Sequence, residues 1–148
     1  MLKKVIVSAV VVLFCLGTNV FAVTWTNSGG DNLWTNTANW NPVGLPAQTT
    51  PRVDIAMASG PIINSGMTAD GNQIRVGMSG GTASMTMNDG TLNSGEWLMV
   101  GVDTAGWAGT FTMNNGTINL GTKAAVNGHL WLGFMAAGTF TMNGGSIN

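Results

Sequence analysis

The sequence predicts an all-β protein, more specifically a right-handed parallel β-helix, a solenoid built from short strands. Three observations lead to this fold class: a decapeptide occurs three times, polar and apolar residues alternate within it, and glycine and asparagine separate the alternating runs. Composition agrees, because 22 of the 148 residues are glycine and only 7% are charged. Such a chain lacks the charged helix formers of a helical bundle and the basic surface of most nucleic-acid-binding proteins.

The first 22 residues have the features of a secretory signal peptide that is cleaved after Ala22. Lys3 and Lys4 form a positively charged start, and Val5–Leu16 is an apolar run of signal-peptide length. The alternative, a membrane anchor, is disfavoured because this run is shorter than the roughly 20 residues needed to span a bilayer. Cys15 is the only cysteine, so the exported chain would contain no disulfide bond.

Residues 23–52 lack the repeat and contain Trp25, Trp34 and Trp40 among threonine, asparagine, glycine and proline. Tryptophan side chains are large enough to cover the open edge of a β-structure, so we expect this segment to form an N-terminal cap. Residues 53–57 and 61–63 are typical of strands and would form a first, degenerate coil. The coils would therefore occupy residues 53–148, beginning with an atypical terminal repeat.

The repeat has two parts that recur in the same order. The decapeptide begins at Ser84, Thr110 and Thr139, with offsets of 26 and 29 residues. A shorter unit precedes each copy and consists of Ile74–Gly77, Leu98–Gly101 and Leu130–Gly133. Repeats of this length are typical of solenoids, so each repeat predicts one coil with three strands of three to five residues.

Stacking of coils about 4.8 Å apart would bring equivalent side chains into contact. The inward positions then form five apolar ladders: Ile74/Leu98/Leu130, Val76/Val100/Leu132, Met85/Phe111/Phe140, Met87/Met113/Met142 and Leu92/Ile118/Ile147. We also expect Asn88, Asn114 and Asn143 to stack at one corner, where their amides can hydrogen-bond along the row.

One corner carries an insertion. From Asn119 to Leu130 the chain advances eleven residues, against five from Asn93 to Leu98. We expect the excess, around Gly121–Gly128, to form a loop, which is where a solenoid usually carries a binding surface.

The candidate ligand or partner surface is the outward row Arg75, Met99 and Trp131, with Trp97 and Trp107 nearby. Exposed aromatic rings beside threonine and asparagine can stack on sugar rings or contact another protein. The alternative, which the sequence leaves open, is that the inserted loop folds over this row and buries it.

No catalytic residue, cofactor site or metal site is predicted. The acidic residues are separate in the sequence, and Asp70 and Asp89 are better explained as corner residues than as calcium ligands. His129 is the only histidine and has no cysteine partner, so we expect an exposed loop residue. After signal cleavage three basic and six acidic residues remain, and this balance disfavours a nucleic-acid partner.

The segment Trp25–Trp40 resembles the W…W…A-N-W opening of large exported bacterial β-helix proteins. These include autotransporter-passenger-like proteins and surface proteins that end in a PEP-CTERM sorting signal, and the G-T-F-T-M-N-N-G-T-I-N unit is similar to their tandem repeats. The resemblance covers residues 23–148 and implies a cell-surface or extracellular location with adhesive or structural roles. The chain departs from the family because it has no C-terminal anchor, barrel or sorting signal and stops at Ile147-Asn148, inside the repeat. We therefore expect a fragment.

The sequence thus predicts a non-enzymatic exported β-helix that is secreted or held at the cell surface as a structural or adhesive scaffold. Its expected partners are glycans or cell-surface and matrix proteins, with no stable membrane span after signal cleavage. The alternative is a carbohydrate-binding or carbohydrate-active β-helix, of polysaccharide lyase or glycosidase type, whose catalytic coils lie beyond residue 148.

Overall fold

The computed structural model describes residues 22–78, 81–103, 106–124 and 126–148, and the predicted signal peptide lies outside them except for Ala22. Across the described residues the chain forms a short 3-10 helix at Thr37–Asn39. The strands are β1 (Val23–Trp25), β2 (Trp40–Asn41), β3 (Val53–Ile55), β4 (Ile62–Ile63), β5 (Thr68–Val76), β6 (Thr82–Met87), β7 (Thr91–Val100), β8 (Ala108–Met113), β9 (Thr117–Leu120), β10 (His129–Leu132), β11 (Ala137–Met142) and β12 (Ser146–Ile147).

The strands stack coil on coil. In the described chain every strand pair except β1 with β2 is parallel, and the coils form a β-solenoid of about 5 turns. The longer sheet has the order β12-β9-β7-β5-β3-β1-β2, with β10 also paired to β7, and the second sheet has the order β11-β8-β6-β4. The all-β parallel solenoid that the repeat predicts is therefore confirmed.

All five predicted apolar ladders exist in the predicted register. Phe111 of β8, for example, lies between Met85 of β6 and Phe140 of β11 and is 0% exposed. The rings of Phe111 and Phe140 meet edge to face with their centroids 5.2 Å apart. The same contact recurs because each coil places an apolar side chain at the same point, so the ladders run the length of the core.

The strands are longer than the sequence predicts. In β5 and β7 the third strand of one repeat continues into the first strand of the next, which gives strands of 9 and 10 residues. The prediction of separate strands of three to five residues is wrong at this corner, because the parallel hydrogen-bond ladder continues around it. In the last coil the predicted insertion does separate them, since β9 ends at Leu120 and β10 begins at His129.

The predicted asparagine ladder is confirmed at one corner. Asn143 Nδ2 donates to Asn114 Oδ1 over 2.8 Å, and Asn114 Nδ2 donates to Asn88 Oδ1 over 3.0 Å. The ladder extends one coil further than predicted, because Asn88 Nδ2 donates to Asn64 Oδ1 over 2.9 Å. Each amide in the middle of the ladder therefore donates to the preceding coil and accepts from the next.

A second ladder, which was not predicted from the sequence, runs along another corner. Asn148 donates to Asn119, Asn119 donates to Asn93, and Asn93 donates to Asp70 Oδ1, with distances of 2.9, 2.9 and 3.0 Å. A carboxylate can only accept, so Asp70 fixes the direction of every amide in this ladder. Gln48 also donates to Asp70 Oδ1, over 3.4 Å.

Glycine is required where the chain turns from the longer sheet to the second sheet. Gly77 and Gly101 follow β5 and β7 with φ of 90° and 76°, a region that L side chains rarely adopt. The turn presses Gly109 of β8 against the backbone of the preceding coil. A Cβ at Gly109 would clash with Val76 O and lie 2.5 Å from Gly101 N.

The two ends of the core differ. At the N-terminal end Trp25, Trp34 and Trp40 are each 1% exposed and meet edge to face, with centroids 4.9 and 4.8 Å apart. Strand β2 pairs antiparallel with β1, so in the described part of the chain the parallel stack ends at β1. In the last described coil the ladder residues Leu132 and Met142 are 51% and 45% exposed.

Candidate functional site

The outer side of the longer sheet carries the residues that the sequence singles out. Strand pairing places Asp54, Arg75, Met99 and Trp131 in one row from β3 through β5 and β7 to β10. Their side chains alternate with the inward ladders, so the row faces away from the core. Unlike the ladders, the row changes chemical character from charged to aromatic along the solenoid.

The charged end of this row forms an ion-pair cluster. Asp54 accepts from Arg75 Nε and from Arg52 Nε, each over 2.9 Å. The Arg75 side chain is only 16% exposed, and its Nη2 is buried with no hydrogen-bond partner among the described residues. Arg75 therefore holds neighbouring coils together and is not freely presented to a ligand.

Met99 is buried beside residues that follow the corner glycines. Met78, Met99 and Val102 are each 7% exposed and form a second apolar cluster outside the core, against which Trp97 and Trp131 pack. Met78 and Val102 directly follow the corner glycines at the ends of β5 and β7. Met78 and Val102 therefore contribute to covering Met99, and burial of the row by the loop around Gly121–Gly128 stays a prediction.

The residue after each corner glycine forms a further ladder, Met78/Val102/Phe134. Val102 N donates to Gly77 O over 3.4 Å, and Phe134 N donates to Gly101 O over 2.9 Å. The signal was present in the sequence, where I-R-V-G-M, L-M-V-G-V and L-W-L-G-F each place an apolar residue after the glycine. Phe134, in the last coil, is 54% exposed.

An aromatic cluster occupies the other end of this face. The Trp131 ring lies 5.9 Å from Trp97, 4.9 Å from Phe134 and 6.3 Å from His129, measured between centroids. Trp97 and Trp131 are half-buried. His129 is exposed as predicted, but it is the first residue of β10 and pairs with Trp97, so the prediction of a loop residue is wrong. Trp107 is half-buried in the segment before β8, and its carbonyl accepts from Ala137 N over 3.2 Å.

A β-bulge in β7 positions the polar edge of this cluster. Between Ser94 and Trp97, the two residues Gly95 and Glu96 lie opposite Asn72 alone in β5. A bulge adds one residue to one strand and changes the direction of the side chains that come after it. Trp97 lies on the outer side, where it packs on the second apolar cluster, and Glu96 lies in the bulge directly before it.

Glu96 is held by three side chains. Gln73 Nε2 donates to its carboxylate over 2.9 Å, and Lys123 Nζ of the inserted loop lies 3.5 Å away. The hydrogen bonds from Gln73 and Asn72, together with the charge of Lys123, lower the pKa of Glu96 below its ordinary value. Glu96 was not predicted as a site residue, although the step from Asp70 to Ile74 is one residue shorter than that from Asn93 to Leu98.

Asp31, outside this face, also has structural contacts. The Asp31 carboxylate accepts from Leu33 N, Asn36 Nδ2 and Asn39 Nδ2, and these hydrogen bonds lower its pKa. Among the described residues no three histidine, cysteine, aspartate or glutamate side chains are grouped as a metal ion would require. In the same part of the chain no helix is both long and apolar enough to cross a membrane.

Neither a protein-family model, nor a curated protein, nor a solved structure matches the chain. The similarity of its tryptophan segment to exported β-helix proteins remains a prediction. The functional proposal therefore rests on the solenoid and on the outer face of its longer sheet.

Proposed function

We propose that the chain is a non-enzymatic exported β-solenoid that serves as a structural or adhesive scaffold at the cell surface or in the extracellular matrix. The observation that supports this most is the contrast between inward and outward positions. The inward row Val53, Ile74, Leu98 and Leu130 is apolar in every coil, whereas the neighbouring outward row changes from Asp54 to Trp131.

This contrast is what a scaffold requires. Side chains that contact the coils on either side are constrained in all coils, and each coil depends on its neighbours for stability. Outward side chains differ from coil to coil, from the Asp54–Arg75 ion pair to Trp131, so this face can vary while the inward ladders stay apolar. The side-chain amide ladders add coil-to-coil bonds that do not occupy the outer face.

Export is tested by expressing the full chain with a C-terminal tag in a bacterial host and locating the product. We expect cleavage after Ala22, so that the exported protein begins at Val23, as N-terminal sequencing would show. A variant with Lys3→Glu and Lys4→Glu is the matched control, because it removes the positive start that a signal peptide needs. Retention of the uncut wild-type chain in the cytoplasm would overturn the proposal.

The scaffold role is tested on the exported protein. We expect cells that export the chain to adhere to a polysaccharide-coated surface more than cells that carry the Lys3→Glu/Lys4→Glu variant. We expect the purified chain to release no reducing or unsaturated sugar from that polysaccharide. Release of sugar would instead identify a carbohydrate-active enzyme and would contradict the non-enzymatic role.

A further inference from the structure

The outer face combines two kinds of surface at one place. Trp97, Trp131 and Phe134 form a continuous aromatic patch, with centroid distances of 5.9 and 4.9 Å along it. Trp97 and Trp131 rest on the buried Met78, Met99 and Val102 cluster, which supports them from the core side. The rings are therefore held in place while Phe134 is 54% exposed.

A polar edge borders this patch. Glu96 lies in the bulge of β7, directly before the outward Trp97. Gln73 and Lys123 hold its carboxylate, and the Lys123 side chain is 52% exposed. An acceptor held in place and an exposed cationic donor thus lie at the Trp97 end of the patch, because Glu96 directly precedes Trp97.

We propose that this face binds a neutral oligosaccharide, with one sugar ring against Trp131 and Phe134 and the hydroxyls of a neighbouring sugar, at the Trp97 end, bonded by Glu96 and Lys123. A sugar ring presents C–H groups on one face and hydroxyls around its rim. It therefore matches an apolar aromatic surface bordered by hydrogen-bonding groups. Side-chain carboxylates and ammonium groups make stronger hydrogen bonds to hydroxyls than neutral groups do.

The charges favour this ligand over other polymers. Glu96 and Lys123 offset one another, and the whole chain has a formal net charge of −1. A nucleic acid or an anionic membrane surface requires clustered basic residues, which this face does not supply among the described residues. Arg75, another cation on this face, is already paired with Asp54.

The inference deepens the proposed adhesive role, on which its biological meaning rests, but it is tested separately on purified protein. The full chain is applied to an array of neutral oligosaccharides of glucose, mannose, xylose and N-acetylglucosamine. The affinity of each bound oligosaccharide is then measured by isothermal titration calorimetry. Failure of export with intact binding would overturn only the scaffold proposal, and normal export without binding would overturn only the carbohydrate site.

Three variants and one control locate the site. We expect Trp131→Ala to weaken binding about ten-fold or more, the loss that corresponds to about 1.4 kcal/mol. We expect Phe134→Ala and Glu96→Gln each to weaken it about three- to ten-fold. Leu45→Ala, an exposed apolar residue of the N-terminal segment, is the control and should leave the affinity unchanged.

Phe134→Ala keeps the test informative if Trp131→Ala fails to fold, because Phe134 is more than half exposed. Circular dichroism would establish that each variant retains the solenoid. Binding that is equal in the wild type, Phe134→Ala and Glu96→Gln would contradict the proposal. So would the absence of binding to every oligosaccharide on the array.

Discussion

In the second amide ladder, each side chain from Asn148 to Asn93 donates a hydrogen bond towards Asp70. This direction predicts what happens when an amide of the ladder is replaced by a carboxylate. Asn93 must donate to Asp70 because a carboxylate cannot donate, and the two atoms are 3.0 Å apart. Replacing Asn93 with aspartate removes that hydrogen bond and places two carboxylates at this distance. Asn93→Asp should therefore destabilise the protein much more than an ordinary surface substitution.

The magnitude can be worked from the geometry. Two unit charges 3.0 Å apart repel by about 1 kcal/mol in water and by about 5 kcal/mol at an effective dielectric constant of 20. The site is half-buried and the carboxylates can turn partly away from each other, so we take about 2 kcal/mol for the repulsion. The lost hydrogen bond adds about 1 kcal/mol, and the total expected loss in the free energy of unfolding is about 3 kcal/mol.

The assay is urea unfolding of the full chain at pH 7, followed by tryptophan fluorescence. The reversed pair Asp70→Asn/Asn93→Asp should recover most of the loss, because the new amide at position 70 could then donate to the new carboxylate while Asn119 still donates to it. The single variant should also recover as the pH falls below about 4, where carboxylates take up protons. The folded state of that variant binds a proton more readily than the unfolded state, so its stability falls as the pH rises.

Asn64→Asp is the matched control, since Asn64 is at the accepting end of the first ladder and does not need to donate to another ladder member. We expect it to change the free energy of unfolding by less than about 0.5 kcal/mol. Wild-type stability of Asn93→Asp at pH 7 would refute the assigned direction of the ladder. So would a reversed pair that is no more stable than Asn93→Asp alone.

The core, the corner and the polar edge each carry one further prediction. Phe111→Ala should lower the free energy of unfolding in urea by about 3–5 kcal/mol. Phe140→Ala should lower it clearly less, because Phe111 is 0% exposed and Phe140 is only half-buried. Equal losses for the two variants would contradict this account of the last coil. Gly109→Ala should lower the melting temperature far more than Thr112→Ala in the same strand, because the added Cβ would meet backbone atoms of the preceding coil. Equal melting temperatures for the two variants would contradict the close approach of Gly109 to that backbone. The contacts of Glu96 should contribute less than about 1 kcal/mol to the free energy of unfolding. This contribution is present above the ordinary pKa of 4.5 and is lost as the pH falls through the lower pKa of the folded state. The melting temperatures of the wild type and Glu96→Gln should therefore converge at low pH, and a difference that stays constant with pH would be evidence against the assigned contacts.

The ladders could be predicted because the three decapeptides align residue by residue. Once Phe111 and Phe140 occupy the same position of successive repeats, parallel stacking alone brings them together. The merging of strands could not be predicted in this way. Asparagine and glycine at the corner next to Asn72 suggest a break, yet the backbone ladder continues through that corner with a bulge.

The outer row was predicted, but its exposure was not. Alternation along a strand assigns Met99 and Trp131 to the outer side, and the register agrees with that assignment. Met99 packs with the residues that follow the corner glycines, Met78 and Val102, and the unit predicted from the sequence ends at the glycine. A motif extended by one residue past the glycine would have found them and Phe134 together.

The departures from the repeat meet at one place in the structure. The extra residue of the bulge and the inserted loop occur at the same corner of successive coils, so stacking brings Glu96 and Lys123 to 3.5 Å from each other. Thr122 N donates to Ser94 O over 3.1 Å, and Lys123 N donates to Gly95 O over 3.2 Å, so the loop begins as a continuation of the ladder. The bulge in one coil thus limits the conformation of the next coil. The next coil must either contain the same extra residue or leave the backbone hydrogen-bond ladder that joins it to the preceding coil. This geometric coupling places the polar edge directly before Trp97 in the chain, and it directs the search for function to the corner where the repeat is broken.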